Sequence, residues 1–237
     1  MTTNKSAKIN KLSDLIKILE NLEDPGNYLF RGQRKASWPL LPKIARIMGG
    51  DCSLEEEKEI FKTFIKNSHP LTSTQPENSL SWMAVAQHHG LPTRLLDWSL
   101  NPLVALWYSV NERPPDMDDG VLWVYEPPRD TLVNLLDTSK EPDPFVIDRV
   151  YVYYPQHEDL RIRAQSGVFT IHCRKMKNQQ FDPFEESNIY EETLTKFLIP
   201  TDSFEGIRKS LRHCGVHAAS LMPDLDGLAT YILSKYE

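Results

Sequence analysis

The sequence predicts an α+β fold, a mixed or antiparallel sheet core with flanking helices. Three observations predict it. Some segments carry apolar residues at helical spacing and others carry short β-branched and aromatic runs, without the regular alternation of a doubly wound sheet. Of 237 residues, 40% are hydrophobic and 25% charged, the balance of an ordinary globular chain long enough for a sizeable core. No repeat and no linker divides it, so residues 1–237 read as one domain.

The elements follow in order. Residues 1–9 are polar and expected to be mobile. Leu12, Leu15, Ile16, Leu19 and Leu22 place a helix within 10–24, stopped by Asp24-Pro25-Gly26. Tyr28–Arg31 reads as a strand closed by Gly32. Pro39, Pro42 and Gly49-Gly50 mark a loop-rich stretch with one short helix. Ser53 and Glu56 form a capping box for a helix through Phe61, Phe64 and Ile65, and 67–80 reads as loop. Ser79 or Ser81 caps a helix stopped by Gly90. Thr93–Leu96 is short and extended. Asn101-Pro102 supplies an N-cap and a first-turn proline for the apolar helix Leu103–Val110. Strands are expected at Val121–Tyr125, Val146–Tyr154, within Arg161–Cys173, at Leu194–Ile199 and at Val216–Leu221. Loops are expected at 111–120 and 127–144. Helices are expected from Asp202 or Ser203 to His213 and over Leu225–Tyr236.

Composition narrows the function. Lys+Arg is 27 and Asp+Glu is 33, a formal charge of -6. That balance disfavours broad, nonspecific nucleic-acid binding, which needs surplus cations for phosphates. The three cysteines, Cys52, Cys173 and Cys214, are far apart and form no C-x-x-C pair, so they read as reduced structural thiols. No signal core and no apolar run of membrane-spanning length is visible. A cytoplasmic protein without membrane attachment is expected.

Two segments concentrate chemistry. In Phe30-Arg31-Gly32-Gln33 a guanidinium ends an apolar strand, where it needs a carboxylate or phosphate partner. Gly32 permits close backbone or ligand approach. The run Gln87–Pro102 packs Gln87, His88, His89, Thr93, Arg94, Asp97, Trp98, Ser99 and Asn101 between two helices. The Asn101 helix start offers free N–H groups and a positive dipole end. The competing reading makes Asp97 and Asn101 caps and Arg94 a surface charge. His88 rather than His89 is taken for acid–base work, because helical neighbours point about 100° apart. Arg163 and Gln165, two apart on an expected strand, share a face. Trp98 is the stacking candidate, whereas Trp107 belongs to the core. Asp224-x-Asp226 reads as a turn and N-cap, with a divalent-metal site as its alternative. No G-x-S-x-G elbow, P-loop or G-x-G-x-x-G is present.

Phe30-Arg31-Gly32-Gln33, the Gln87–Pro102 run, Arg163-x-Gln165-x-Gly167-x-Phe169 and Pro223–Gly227 together resemble the FRG domain family, over about Tyr28 to Ile232. Aromatic-Arg-Gly on a strand is more distantly similar to the first motif of ADP-ribosyltransferases. That likeness implies an ADP-ribosyltransferase-like fold in which Arg31 holds NAD. It also implies a polar strand followed by an apolar helix, as in Thr93–Asp97 and Leu103–Val110, and a third strand at Thr193–Pro200. On that third strand the resemblance implies a glutamate. This chain has Leu194 and Lys196 there, and Glu191 and Glu192 just ahead would need a register shift; either the fold likeness holds without the NAD chemistry, or Asp97 or Asp224 supplies the carboxylate.

The expected function is a nucleotide-binding domain, an NAD-dependent ADP-ribosyltransferase or NAD glycohydrolase in the sense of that resemblance. His88 and Asp97 would be catalytic. Arg31, Gln87, Thr93, Arg94, Trp98, Asn101, Arg163 and Gln165 would bind the cofactor. NAD would be the cofactor, no bound metal is expected, and the partners would be a phosphorylated small molecule or nucleotide and a macromolecular acceptor. Two alternatives stand beside it. One is a metal-assisted phosphodiesterase or nuclease using Asp224, Asp226, His88 and Asp97. The other is a noncatalytic recognition module in which Arg31, Arg94, Asp97 and Asp224 form a structural ion network.

Overall fold

The computed structural model describes residues 8–23, 26–48, 52–72, 75–133, 142–155, 160–175, 180–187 and 193–236. It is an α+β fold built on one six-stranded sheet. The strands are β1 (Leu29–Gln33), β2 (Leu95–Ser99), β3 (Gly120–Tyr125), β4 (Tyr151–Tyr153), β5 (Gly167–Ile171) and β6 (Leu194–Ile199), in the order β4-β5-β2-β1-β3-β6. Every neighbouring pair is antiparallel. The helices among the described residues are α1 (Leu12–Glu20), α2 (Lys43–Ile47), α3 (Leu54–Ser68), α4 (Ser79–His88), α5 (Pro102–Val110), α6 (Leu160–Ala164), α7 (Phe204–His213), α8 (Ala218–Leu221) and α9 (Leu225–Leu233). None of them is long and apolar enough to cross a membrane.

Side-chain alternation divides the sheet into two faces. On one face Phe30, Leu122, Val124 and Ile199 pack under α5, α7 and α1. On the same face, over the β2–β5–β4 half, Leu95, Phe169, Ile171 and Tyr153 pack under α3 and α4. The opposite face carries Leu29, Leu96, Trp98, Val121, Trp123, Tyr125, Val152 and Val168, covered by Leu40 and Phe184 from connecting segments. Each such buried aliphatic side chain contributes roughly 1.5–3 kcal/mol.

Gly32 lies inside β1 rather than closing it. A Cβ there would meet the Ala105 carbonyl oxygen at 1.9 Å and the Ser109 Oγ at 2.6 Å. The glycine therefore admits α5 onto the strand, the backbone approach that the sequence allowed.

Several boundaries move for identifiable reasons. Lys8 bridges Leu198 and Ile9 is fully buried, so these two residues of the stretch expected to be mobile are fixed on the sheet; residues 1–7, Asp24-Pro25 and Gly49-Gly50 lie outside the described residues. Asn78, not Ser79 or Ser81, caps α4, its side chain accepting from Ser81 N at 2.7 Å. The extended segment expected at Thr93–Leu96 becomes β2, which starts after a bend at Arg94 and runs on to Ser99. Its alternate side chains find core on one face and polar partners on the other, so polarity does not end the strand. The expected strand Val146–Tyr154 contracts to Tyr151–Tyr153. Arg163, expected on a strand with Gln165, lies instead in α6. Val216–Leu221 is not a strand either: His217 and Ser220 form a capping box and α8 buries Ala218 and Leu221, three apart. The capping boxes at Ser53/Glu56 and the Asn101 cap form as expected.

Candidate functional site

The two helix-covered halves of the first face leave a cleft between them, where the sheet is least complete. β1 pairs with β3 over all of Leu29–Gln33, and β2 with β5 over all of Leu95–Ser99, but β1 meets β2 only at Phe30↔Ser99. Beyond that pair Arg31 spans the strands, its Nη1 donating to the Asp97 carbonyl oxygen at 2.6 Å. The cleft has a volume of about 390 Å³. Its floor includes Arg31, Gly32, Asp97 and Ser99, and α5 contributes Ala105 and Tyr108. The walls come from α4 (Gln87, His88), α2 (Lys43, Arg46), and α6 with the residue beyond it (Arg161, Gln165).

Arg31 is the most desolvated cation here. Its side chain is 16% exposed, and its Nε is buried without a hydrogen-bond partner. Burial lowers its pKa to about 10, against the opposing pull of Asp97 and with a further push from Arg46. It stays charged at neutral pH. Asp97 is the only carboxylate lining the cleft among the described residues. Its Oδ1 accepts from Gln87 Nε2 at 2.7 Å, its Oδ2 lies 3.8 Å from Arg31 Nη1, and the side chain is 64% exposed. The Thr93 hydroxyl donates to Gln87 Oε1, which fixes the amide so that its NH₂ faces Asp97. Thr93 is thus buried behind Gln87 and acts by orienting it.

Tyr108 lines the cleft beside Arg161 and Gln165, and burial raises its pKa against the pull of the Arg161 charge. Gln165 Nε2 also donates to Leu221 O at 3.0 Å. Ser99 Oγ donates to Gln165 O at 2.7 Å, so its hydroxyl is committed to holding the connection into β5. His88 lines the cleft and also a smaller neighbouring pocket formed with Ser81, Val85, His89 and Tyr153.

Four expected cofactor residues stand elsewhere or do other work. Arg94 is 1% exposed and forms two bonds to Glu57, Nε to Oε1 at 2.8 Å and Nη2 to Oε2 at 2.7 Å. Arg174 joins the same carboxylate, Nε and Nη2 lying 3.0 and 2.9 Å from Oε2. Arg94 therefore belongs to a buried network and not to the cleft. The Trp98 indole is 3% exposed. Its Nε1 donates to Thr170 Oγ1 at 2.9 Å, and its ring packs on Tyr125 and Phe184. No face is left for ligand stacking. Asn101 Oδ1 accepts from Leu103 N at 3.0 Å and caps α5. Arg163 is exposed and outside the cleft, because its segment is helical: Arg161 and Gln165, four apart, share the face that Arg163 was expected to share with Gln165.

The third strand also moves. β6 pairs with β3 at the far edge of the sheet, and Lys196 Nζ donates to Ala36 O at 2.9 Å. The strand beside β2 is β5, and the residue just ahead of it that enters the cleft is Gln165. Glu191 and Glu192 lie outside the described residues. Asp224 Oδ1 accepts from Gly227 N at 2.7 Å and caps α9. Asp226 sits in the first turn of that helix, and neither residue lines the cleft. Among the described residues no group of three His, Cys, Asp or Glu side chains is placed to hold a metal ion.

Sequence reasoning missed Lys43, Arg46, Tyr108 and Arg161 in the cleft, and Glu57 and Arg174 in the buried network. Glu57 had a readable signal: it lies four residues before Phe61 on the core face of α3, where a carboxylate demands a cation. No curated protein and no solved structure matches the chain. Residues 26–118, which carry β1, α2, α3, α4, β2 and α5, match the family model of the FRG domain.

Proposed function

We propose that the cleft binds a phosphorylated nucleotide, NAD or ADP-ribose, and that Asp97 faces the ribose next to the scissile N-glycosidic bond. The observation that carries this reading is the state of Arg31: a desolvated guanidinium on the floor of a large cleft, with one nitrogen unpartnered. Buried charge of this kind calls for an anion, and a planar fork suits phosphate. Asp97 has one oxygen fixed by Gln87 and the other in a loose ion pair with Arg31 at 3.8 Å, where it can still accept from a sugar hydroxyl and stabilise positive charge developing on the ring. Gln165, an amide, can orient a hydroxyl but supplies no charge. His88 is the imidazole on the wall, and in this reading it is the proton-transfer group. The polar strand followed by an apolar helix, β2 then α5, is the order that the likeness to ADP-ribosyltransferases implies.

Calorimetry with NAD and ADP-ribose tests this directly. Wild-type protein should bind in the micromolar range. Arg31→Ala should lose at least tenfold in affinity, and Arg31→Lys should retain part of it. A thermal melt of each variant separates lost binding from lost fold. Nicotinamide release, abolished by Asp97→Asn, would establish bond cleavage. Absence of binding by folded wild-type protein would overturn the reading.

A further inference from the structure

Charge in this molecule is segregated. The chain is acidic overall, at -6, yet the cleft is lined by Arg31, Lys43, Arg46 and Arg161 against Asp97 alone. Two of these cations come from one turn of α2, a helix that the nucleotide reading does not otherwise use. Lys43 Nζ donates to Gly90 O at 2.7 Å, which ties α2 to the end of α4 and leaves the ammonium two further donors. Arg46 Nε donates to Leu41 O at 3.2 Å, and its exposed side chain lines the cleft with both Nη groups outside that bond. The floor holds Arg31 and Asp97 and the α6 wall holds Arg161, so four cations share one opening with a single carboxylate. A multiply charged anion between them would relieve their repulsion.

We propose that Lys43 and Arg46 of α2 form, together with Arg31, a grip for a diphosphate group, so that the cleft selects ligands carrying two linked phosphoryl groups over monophosphates. This builds on the nucleotide reading by stating which part of the ligand α2 takes. One phosphoryl group lies over the Arg31 guanidinium on the floor and the second under Lys43 and Arg46 at the rim. A monophosphate can satisfy only one of these positions.

The test uses inorganic pyrophosphate and orthophosphate as probes, measured by calorimetry and by thermal shift on the whole chain. Wild-type protein should bind pyrophosphate at least tenfold more tightly than orthophosphate. Arg46→Glu should reduce pyrophosphate affinity at least tenfold while leaving orthophosphate binding within about threefold. Lys43→Gln should act in the same direction. Arg163→Glu, an equal charge change outside the cleft, should leave both unchanged, and all variants should melt cooperatively. Equal affinity for the two probes, or an equal loss in Arg46→Glu and Arg163→Glu, would overturn the proposal. If NAD binds and Arg31→Ala abolishes it while Arg46→Glu does not, the diphosphate grip fails and the nucleotide reading stands. If pyrophosphate binds through Arg46 but neither nucleotide does, the reverse holds.

Discussion

Replacing Glu57 by glutamine should destabilise the fold strongly without touching the cleft. Glu57 and Arg94 are 4% and 1% exposed, and Arg174 contacts the same carboxylate. Four nitrogen-to-oxygen contacts between 2.7 and 3.0 Å converge on two oxygens. The glutamine keeps the shape but removes the charge, and turns one acceptor into a donor aimed at two guanidinium groups. Breaking a buried ion pair in this way costs about 3–5 kcal/mol, because the cations stay buried. For a chain of this size that corresponds to a melting temperature lower by about 6–20 °C. Urea denaturation monitored by tryptophan fluorescence gives the free energy, and a calorimetric scan gives the temperature. A loss below about 1 kcal/mol would refute the reasoning, since it would mean that water or a relaxed side chain already solvates the two arginines. The double variant Glu57→Gln/Arg94→Met should be less damaged than the sum of its parts, because both substitutions break the same contact.

Two further predictions concern pH and capping. His172 is buried, and burial first, then the charges of Arg31 and Arg94, lower its pKa to about 3. The unfolded chain takes up a proton on this histidine near pH 6.5 while the folded chain does not, so its contribution is complete above that pH. It is lost as pH falls from about 6.5 toward 3, at up to ~1.4 kcal/mol per pH unit. Stability measured by denaturation between pH 4 and 7 should fall more gently in His172→Asn, and parallel slopes would contradict the assignment. Asp224→Ala should cost about 1 kcal/mol through the lost α9 cap, whereas Asp224→Asn should cost only a few tenths. Neither value should depend on added Mg²⁺, and a magnesium-dependent melt in wild type that vanishes in Asp224→Asn would favour the metal reading.

Local signals carried much of the fold. The Ser53/Glu56 box and the Asn101-Pro102 start were legible because a cap involves residues three or fewer apart. The buried apolar runs of β3 and β5 and the β-prone run of β6 were legible for the same kind of reason. Local signals failed where two periods fit the same residues. Val216, Ala218 and Leu221 suit a strand until His217 and Ser220 are seen to cap each other. Arg163 and Gln165 suit one strand face until the segment coils and Arg161 takes the place of Arg163.

The sequence by itself determined the α+β class and the two polar segments that reach the cleft. It also placed Arg31 in an apolar strand, where a desolvated guanidinium needs a carboxylate or phosphate partner; that its closest acceptor is the Asp97 carbonyl oxygen came from the structure. Only the tertiary structure decided which polar residues meet. Arg31 and Asp97 come together because β1 and β2 are neighbours that part after one pair, and Lys43 and Arg46 join them because α2 is tied to the end of α4. Arg94 is drawn away from the same run by Glu57, a residue 37 positions earlier. Contacts of that separation depend on chain topology, and no spacing rule along the sequence encodes them.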